Sequence, residues 1–242
     1  MLTETQEVTI HMLPPAEGLP PTARLCVIVD VLRASTTVTS ALHAGATGIV
    51  PCLSVDDAKN AADQHNALLG GERAGIKLEG FDFGNSPTEY TATAVSGRVI
   101  AFTTTNGTRA LLKSLNADEI VIGSFVNLSA VAARCCRSND VHIVCAGTDR
   151  VISGEDVLFA GLLATKLVDS EGFKPADDAT QIAMDFSLTN AENPPRLLEA
   201  VRQSQGGRNL IGLGCDADIE FAANVDRFEL VPTYDAASGQ IQ

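Results

Sequence analysis

The chain has 242 residues, 45% hydrophobic and 19% charged, which places it among compact globular proteins with enough apolar mass for a sizeable core. Its net charge of −13 argues against nucleic acid as a partner, because a phosphate backbone demands a basic surface. No apolar run reaches the roughly 18 residues of a membrane span, and the opening MLTETQEVTI lacks the basic-then-apolar pattern of an export signal, so a cytoplasmic protein is expected.

Leu25–Val31 is a β-branched apolar run that predicts a strand. A helix from Arg33 to Ala44 follows, with Val38 and Leu42 at helical spacing and Gly45 as its stop. Gly48–Leu53 is the next predicted strand. Ser54 then caps a helix whose first turn holds Asp56 and Asp57. Residues 66–95 show no clean period. Further strands are expected at Arg98–Thr103, Ile120–Ser124, Val141–Ala146 and Leu210–Cys215. Helices are expected at Asn106–Leu115, Leu128–Arg137, Glu155–Ser170 and Ala217–Asn224, and Asn190–Pro195 reads as a hinge between helices. Apolar strands alternating with helices predict the α/β class, with a parallel or mixed sheet covered on both faces. Ligands of such sheets bind beyond the carboxyl ends of the strands, so the turns after Val29, Phe102, Ile122 and Cys145 are expected to share one cleft.

Six cysteines include no C-x-x-C, so zinc ribbons and thioredoxin-like motifs are unsupported, and buried reduced thiols are expected. His11, His43, His65 and His142 are scattered, and no G-x-S-x-G elbow supports a Ser–His–Asp arrangement.

Four segments carry chemistry. Thr103–Arg109 runs from a strand through threonines and Asn106-Gly107 to an arginine, a density of donors suited to an anion. An ordinary capped βα turn has the same residues, and the P-loop spacing and lysine are missing. Asp30 ends an apolar strand, where a carboxylate is costly unless paired or bound to metal, and Arg33, Ser35 and Thr36 follow within a turn. Position 32 is leucine, which disfavours the D-x-D of haloacid-dehalogenase phosphatases. An Asp30–Arg33 pair is the structural alternative. Glu72 and Arg73 beside glycines, with Asn85 in the following loop, are suited to close ligand contact or to a solvated pair. Gly147 leads to Glu155 and Asp156 at a helix start, as magnesium ligands or as capping carboxylates.

Together VIVDVLRASTT, LLGGERAG, GFDFGNSPTEYT, TTTNGTRAL, IGSFVN, SGEDVLFAG and GCDADIEFAANVDRFELVP give a chain that resembles the 2-phosphosulfolactate phosphatase family (ComB-like proteins) from about Cys26 to Pro232. The resemblance implies a three-layer α/β/α fold with a mixed, largely parallel sheet. It also implies a magnesium-dependent hydrolase that releases phosphate from 2-phosphosulfolactate on the way to coenzyme M. One such domain would occupy residues 1–242, or two similar α/β halves would flank a shared cleft.

Placed on these motifs, Asp30, Arg33, Glu72, Arg109 and Asp156 are the expected catalytic set, with Asp30, Glu72 and Asp156 as magnesium ligands. Ser35, Thr36, Arg73, Asn85, Thr104, Thr105, Asn106, Gly107, Thr108, Ser124, Asn127 and Gly147 are the expected substrate contacts. Arg33 and Arg73 would grip the sulfonate and carboxylate. A phosphatase of another small 2-phosphorylated acid and a non-catalytic binder of anionic metabolites are the competing readings. The expected partner is a small phosphorylated anion, with neither nucleic acid nor membrane, and exposed apolar helix faces leave room for a homodimer.

Overall fold

The computed structural model describes residues 5–242. The first four residues of the segment inspected for an export signal lie outside it.

The chain opens with β1 (Glu7–His11) and β2 (Leu25–Val29), α1 (Ala34–His43), β3 (Gly48–Cys52) and α2 (Val55–His65). It continues through β4 (Leu68–Arg73), β5 (Ile76–Lys77), a 3-10 turn at Pro87–Glu89, α3 (Ala92–Val95), β6 (Val99–Thr103) and α4 (Gly107–Leu112). Next come β7 (Glu119–Gly123), a 3-10 turn at Phe125–Asn127, α5 (Leu128–Cys135), β8 (Asp140–Cys145), α6 (Gly154–Glu171) and β9 (Lys174–Pro175). The remainder is helical, α7 (Asp178–Asn190), α8 (Pro194–Gln203), α9 (Gln205–Gly212) and α10 (Asp216–Ala222), before a terminal hairpin of β10 (Tyr234–Asp235) and β11 (Gln240–Ile241).

The layered α/β class is as expected, with the strands divided between two sheets. The first, β7-β2-β8-β1-β9, is wholly parallel. The second, β10-β11-β3-β6-β4-β5, is parallel at its centre and antiparallel at both margins. One face of the first sheet packs Val27, Val29, Ile10 and Ile143 against Phe159, Leu163 and Leu167 of α6. Its other face shares a core with the second sheet, where Ile28 and Val144 meet Ile49, Ile100 and Phe102 around α1 and α4. Helix α2 covers the outer face of the second sheet through Ala58 and Ala61.

Helix α1 is buried from Ala34 to Leu42 although half its residues are hydroxylic. Burial is tolerated because Thr36 donates to Val31 O, Thr37 to Asn85 O, Thr39 to Ser35 O and Ser40 to Pro87 O. These bonds tie the loop at 85–87 to the helix. Ser54 caps α2 as expected and forms a reciprocal capping box with Asp57.

Three expectations change. Leu210–Cys215 is not a strand: Leu210 lies in α9, which Ser204 caps, and Ile211 and Leu213 are exposed. A short apolar run next to glycines has no period that separates strand from helix. Cys215 consequently precedes α10 rather than ending a strand. The segment 66–95, read as irregular, contains β4, which pairs with β6 despite its two glycines. Strand β1 lies outside the expected strands, while α7 and α8 flank the Asn190–Pro195 segment as a hinge between helices requires.

Gly71 is needed where β4 passes the end of β6. Its φ is +145°, and a Cβ would lie 2.2 Å from Thr103 O. Gly71→Ala should therefore lower stability by about 1–3 kcal/mol, read as a lower urea midpoint. Gly212→Ala, where a Cβ meets nothing within 4 Å, should leave the midpoint unchanged or raise it.

Candidate active site

The carboxyl ends of β2, β4, β6 and β8 open onto a cleft of about 650 Å3, roofed by α9. Asp30, Glu72, Thr104–Asn106 and Thr148 come from those strand ends, and Gly206–Leu213 from the roof. The turns after Val29, Phe102 and Cys145 thus meet as expected. The turn after Ile122 does not line the cleft. Ser124 N–H donates to Asn127 Oδ1, and Asn127 Nδ2 donates to Ile122 O and Leu230 O, so both residues cap and anchor their own turn.

Asp30 is held from three sides. Its N–H donates to Ser35 Oγ, its Oδ1 accepts from Ala34 N at 3.2 Å, and the Gly107 N–H also bonds its carboxylate. Gly107 has no side chain to intervene, since a Cβ there would sit 2.9 Å from Asp30 Oδ2. Burial pushes the Asp30 carboxyl up to about 7, opposed by the Ala34 and Gly107 amides and reinforced by the charges of Glu72 and Glu155. Behind it lies a void of about 30 Å3, lined by Ser35, Gly107, Thr108 and apolar side chains. Those three expected contacts therefore back the aspartate rather than line the cleft. Thr36 faces Val31 O and is buried as well.

Glu72 is set by the turn at Ala74 and Gly75. Its Oε2 accepts from Gly75 N at 2.6 Å and its Oε1 from Thr105 N at 3.3 Å, linking β4 to the Thr104–Asn106 loop. The buried Asn85 Oδ1, Thr104 Oγ1 and Asn106 Oδ1 belong to residues lining this space and have no hydrogen-bond partner among the described residues. Orphaned buried polar atoms are uncommon, and these three stand on residues of one cleft.

The other expected site residues are engaged elsewhere. Asp156 Oδ1 accepts from Val31 N at 2.9 Å and Oδ2 from Gly147 N at 3.0 Å, clamping the turns after β2 and β8 beneath the cleft. Burial, Glu155 and Asp30 raise its pKa well above the usual range. Gly147, at φ +66°, supplies that amide and stops one residue short of the lining. Arg73 donates to Glu72 O, Leu53 O and Thr103 Oγ1, and Arg109 to Thr105 O; neither lines the cleft. Arg33 lines it, but its guanidinium is pinned by Asp218 at 2.7 Å and Gly75 O at 2.8 Å. An Asp30–Arg33 pair is therefore not formed. Asp218 also accepts from Ser86 Oγ at 2.5 Å. In sequence Asp218 is indistinguishable from a capping carboxylate, and only the fold brings it to Arg33 from 185 residues away.

The model of the 2-phosphosulpholactate phosphatase family matches residues 13–237. The chain belongs to this family. It is 41% identical over 210 residues to a probable 2-phosphosulfolactate phosphatase of Caldanaerobacter subterraneus, covering 85% of this chain and 86% of that one. Like-named proteins of Symbiobacterium thermophilum and Thermotoga maritima are each 37% identical, covering 95% and 88% of this chain and 97% and 90% of theirs. The matched residues include the strands whose ends form the cleft, β2, β4, β6 and β8, and its roof, and leave out β1 and β11. No helix among the described residues is long and apolar enough to cross a membrane.

Among the described residues no three His, Cys, Asp or Glu side chains form a ready-made metal cage. Asp30 and Glu72 nevertheless fit a magnesium ion of the kind that takes one or two carboxylates and completes its shell with water and substrate phosphate. Asp156 does not fit, because it lies off the cleft lining, clamping the amides of Val31 and Gly147 in the turns beneath it.

Proposed function

We propose that the protein hydrolyses 2-phosphosulfolactate to sulfolactate and inorganic phosphate, a magnesium-dependent step of the kind that leads to coenzyme M. The observation that carries the reading is the meeting of Asp30 and Glu72 with the orphaned hydroxyl and amide groups of Thr104, Asn106 and Asn85 in one cleft. The names of the related proteins supply the substrate.

Asp30 and Glu72 would hold the ion, which when bound would offset phosphate charge and polarise the phosphorus. The Thr104 hydroxyl donates to a phosphate oxygen and loses its orphan status. The Asn85 and Asn106 carboxamides flip or turn to orient the remaining oxygens. In-line water attack breaks the ester P–O bond and leaves phosphate and the sulfolactate alcohol. The proton that the water releases ends on the departing alcohol oxygen, so the step needs no other reagent. A pure anion binder would gain nothing from two carboxylates beside its ligand.

The test is phosphate release from 2-phosphosulfolactate with and without Mg2+. Activity that survives EDTA treatment in full would sink the metal role, and no release in the presence of Mg2+ would sink the reaction.

A pH dependence of stability accompanies this site. Asp30, Asp156 and Glu155 all have raised pKa values in the folded protein, burial being the largest cause for each. Above about pH 4 the unfolded carboxylates ionise while Asp30 keeps its proton until about pH 7, so over that window the unfolded state gains, and Glu155 and Asp156 are raised in the same direction. The metal-free protein should melt at progressively lower temperature as pH rises through this window. Added Mg2+ should raise the melting temperature more at pH 7.5 than at pH 5.5, because ionised carboxylates bind it. Thermal scans at the two pH values check both.

A further inference from the structure

2-Phosphosulfolactate carries a carboxylate and a sulfonate besides its phosphate, and the two arginines expected to hold them are engaged by the protein. Arg33 is neutralised by Asp218, and Arg73 lies off the cleft. The cleft has one other cationic lining residue among the described ones, Arg208 of α9. Among the described residues its guanidinium has no carboxylate partner and donates to the neutral oxygens Gln203 O and Gln205 Oε1, and the residue is exposed.

Arg208 also stands on a fixed support. Ser204 Oγ accepts from Gly207 N and caps α9, while Leu210 is buried in the core beneath it. Gly206 rests against buried Glu155, with no room for a Cβ, which would lie 2.1 Å from Glu155 Oε1. At the far end Leu213 touches Gly75, in the turn that sets Glu72. Arg208 and the groups of Asp30, Glu72 and Thr104 thus line one cleft from different elements of the fold.

We infer that Arg208 grips the acid end of the substrate, the sulfonate or carboxylate remote from the phosphate, and so selects phosphorylated acids over simple phosphate esters. The inference presupposes the substrate class proposed above. A planar, permanently charged fork suits a trigonal or tetrahedral oxyanion. It also explains how a chain of net charge −13 accepts a multiply charged anion, since the field is reversed at one wall.

The experiment compares wild type, Arg208→Ala and Arg208→Lys by calorimetry with sulfolactate and with inorganic phosphate, and by kinetics with 2-phosphosulfolactate. Arg208→Ala should weaken sulfolactate binding and raise KM for 2-phosphosulfolactate by about 30-fold, the scale of one charge-assisted contact. Phosphate binding should weaken less than threefold, and Arg208→Lys should fall between. Thermal melting of each variant reports whether α9 remains in place. Sulfolactate binding that is absent in wild type, or indifferent to Arg208, would overturn the inference, as would equal losses for sulfolactate and phosphate. If sulfolactate binding depends on Arg208 while wild type releases no phosphate, the inference stands and the hydrolytic reading fails. If wild type releases phosphate and Arg208→Ala keeps its KM, the reverse holds.

Discussion

Replacing Asp30 with asparagine should lower phosphate release about a thousandfold while leaving the fold intact, the scale seen when a group that meets developing charge is removed. Asparagine keeps the size of the side chain and one acceptor oxygen. It has two amides to satisfy, from Ala34 and Gly107, and its NH2 must face one of them. That mismatch costs about 1–3 kcal/mol. It is offset by removing a buried carboxyl that Glu72 and Glu155 repel. The melting temperature at pH 7.5 should therefore move by only a few degrees, in contrast to turnover. A variant that melts far lower yet turns over normally would show that Asp30 only joins β2 to the turns around it.

The second large effect concerns the Arg33–Asp218 pair. Both side chains are almost wholly buried, so Asp218→Ala leaves a guanidinium without its counter-ion. Breaking a buried pair from one side costs about 3–5 kcal/mol, and for a chain of this size the melting temperature should fall by about 10 °C. The double replacement Arg33→Met with Asp218→Leu removes both charges and should recover most of that loss. Ser86 Oγ keeps Thr88 Oγ1 as a neighbour in the double variant. Turnover should remain at least about tenfold below wild type, because Arg33 also holds Gly75 O, and the Gly75 N–H holds Glu72. Freed of its tether, that turn no longer fixes the second carboxylate. Wild-type turnover in a stable double variant would make the pair purely structural.

Much of this architecture was legible from residue order. The runs LCVIV, VIAFT, EIVIG and DVHIVC are strands because β-branched apolar residues fill them, and each ends in a polar turn. Strand-end logic then placed Asp30 and Thr104–Asn106 in one cleft. The same logic failed at Ser124 and Asn127, off the cleft, where the Asn127 carboxamide is spent on the Ser124 N–H and the Ile122 and Leu230 carbonyls. It failed for Asp156 too, since a carboxylate at a helix start looks alike whether it faces a ligand or clamps two backbone amides. Leu210–Cys215 misled because six residues with flanking glycine carry no decisive period.

By itself, then, the order of residues determined the alternation of strands and helices, the floor of the cleft and the family, all of which depend on local patterns. Only the tertiary structure decided which charges are free. Arg33 meets Asp218 from 185 residues away, and Arg73 is absorbed by the carbonyls of Glu72 and Leu53 and the Thr103 hydroxyl. Arg208, in a stretch where no motif drew notice, is carried over the cleft by a helix that the sequence suggested was partly a strand. Charge neutralisation acts over a few ångströms between chain-distant groups, and no spacing along the chain encodes it.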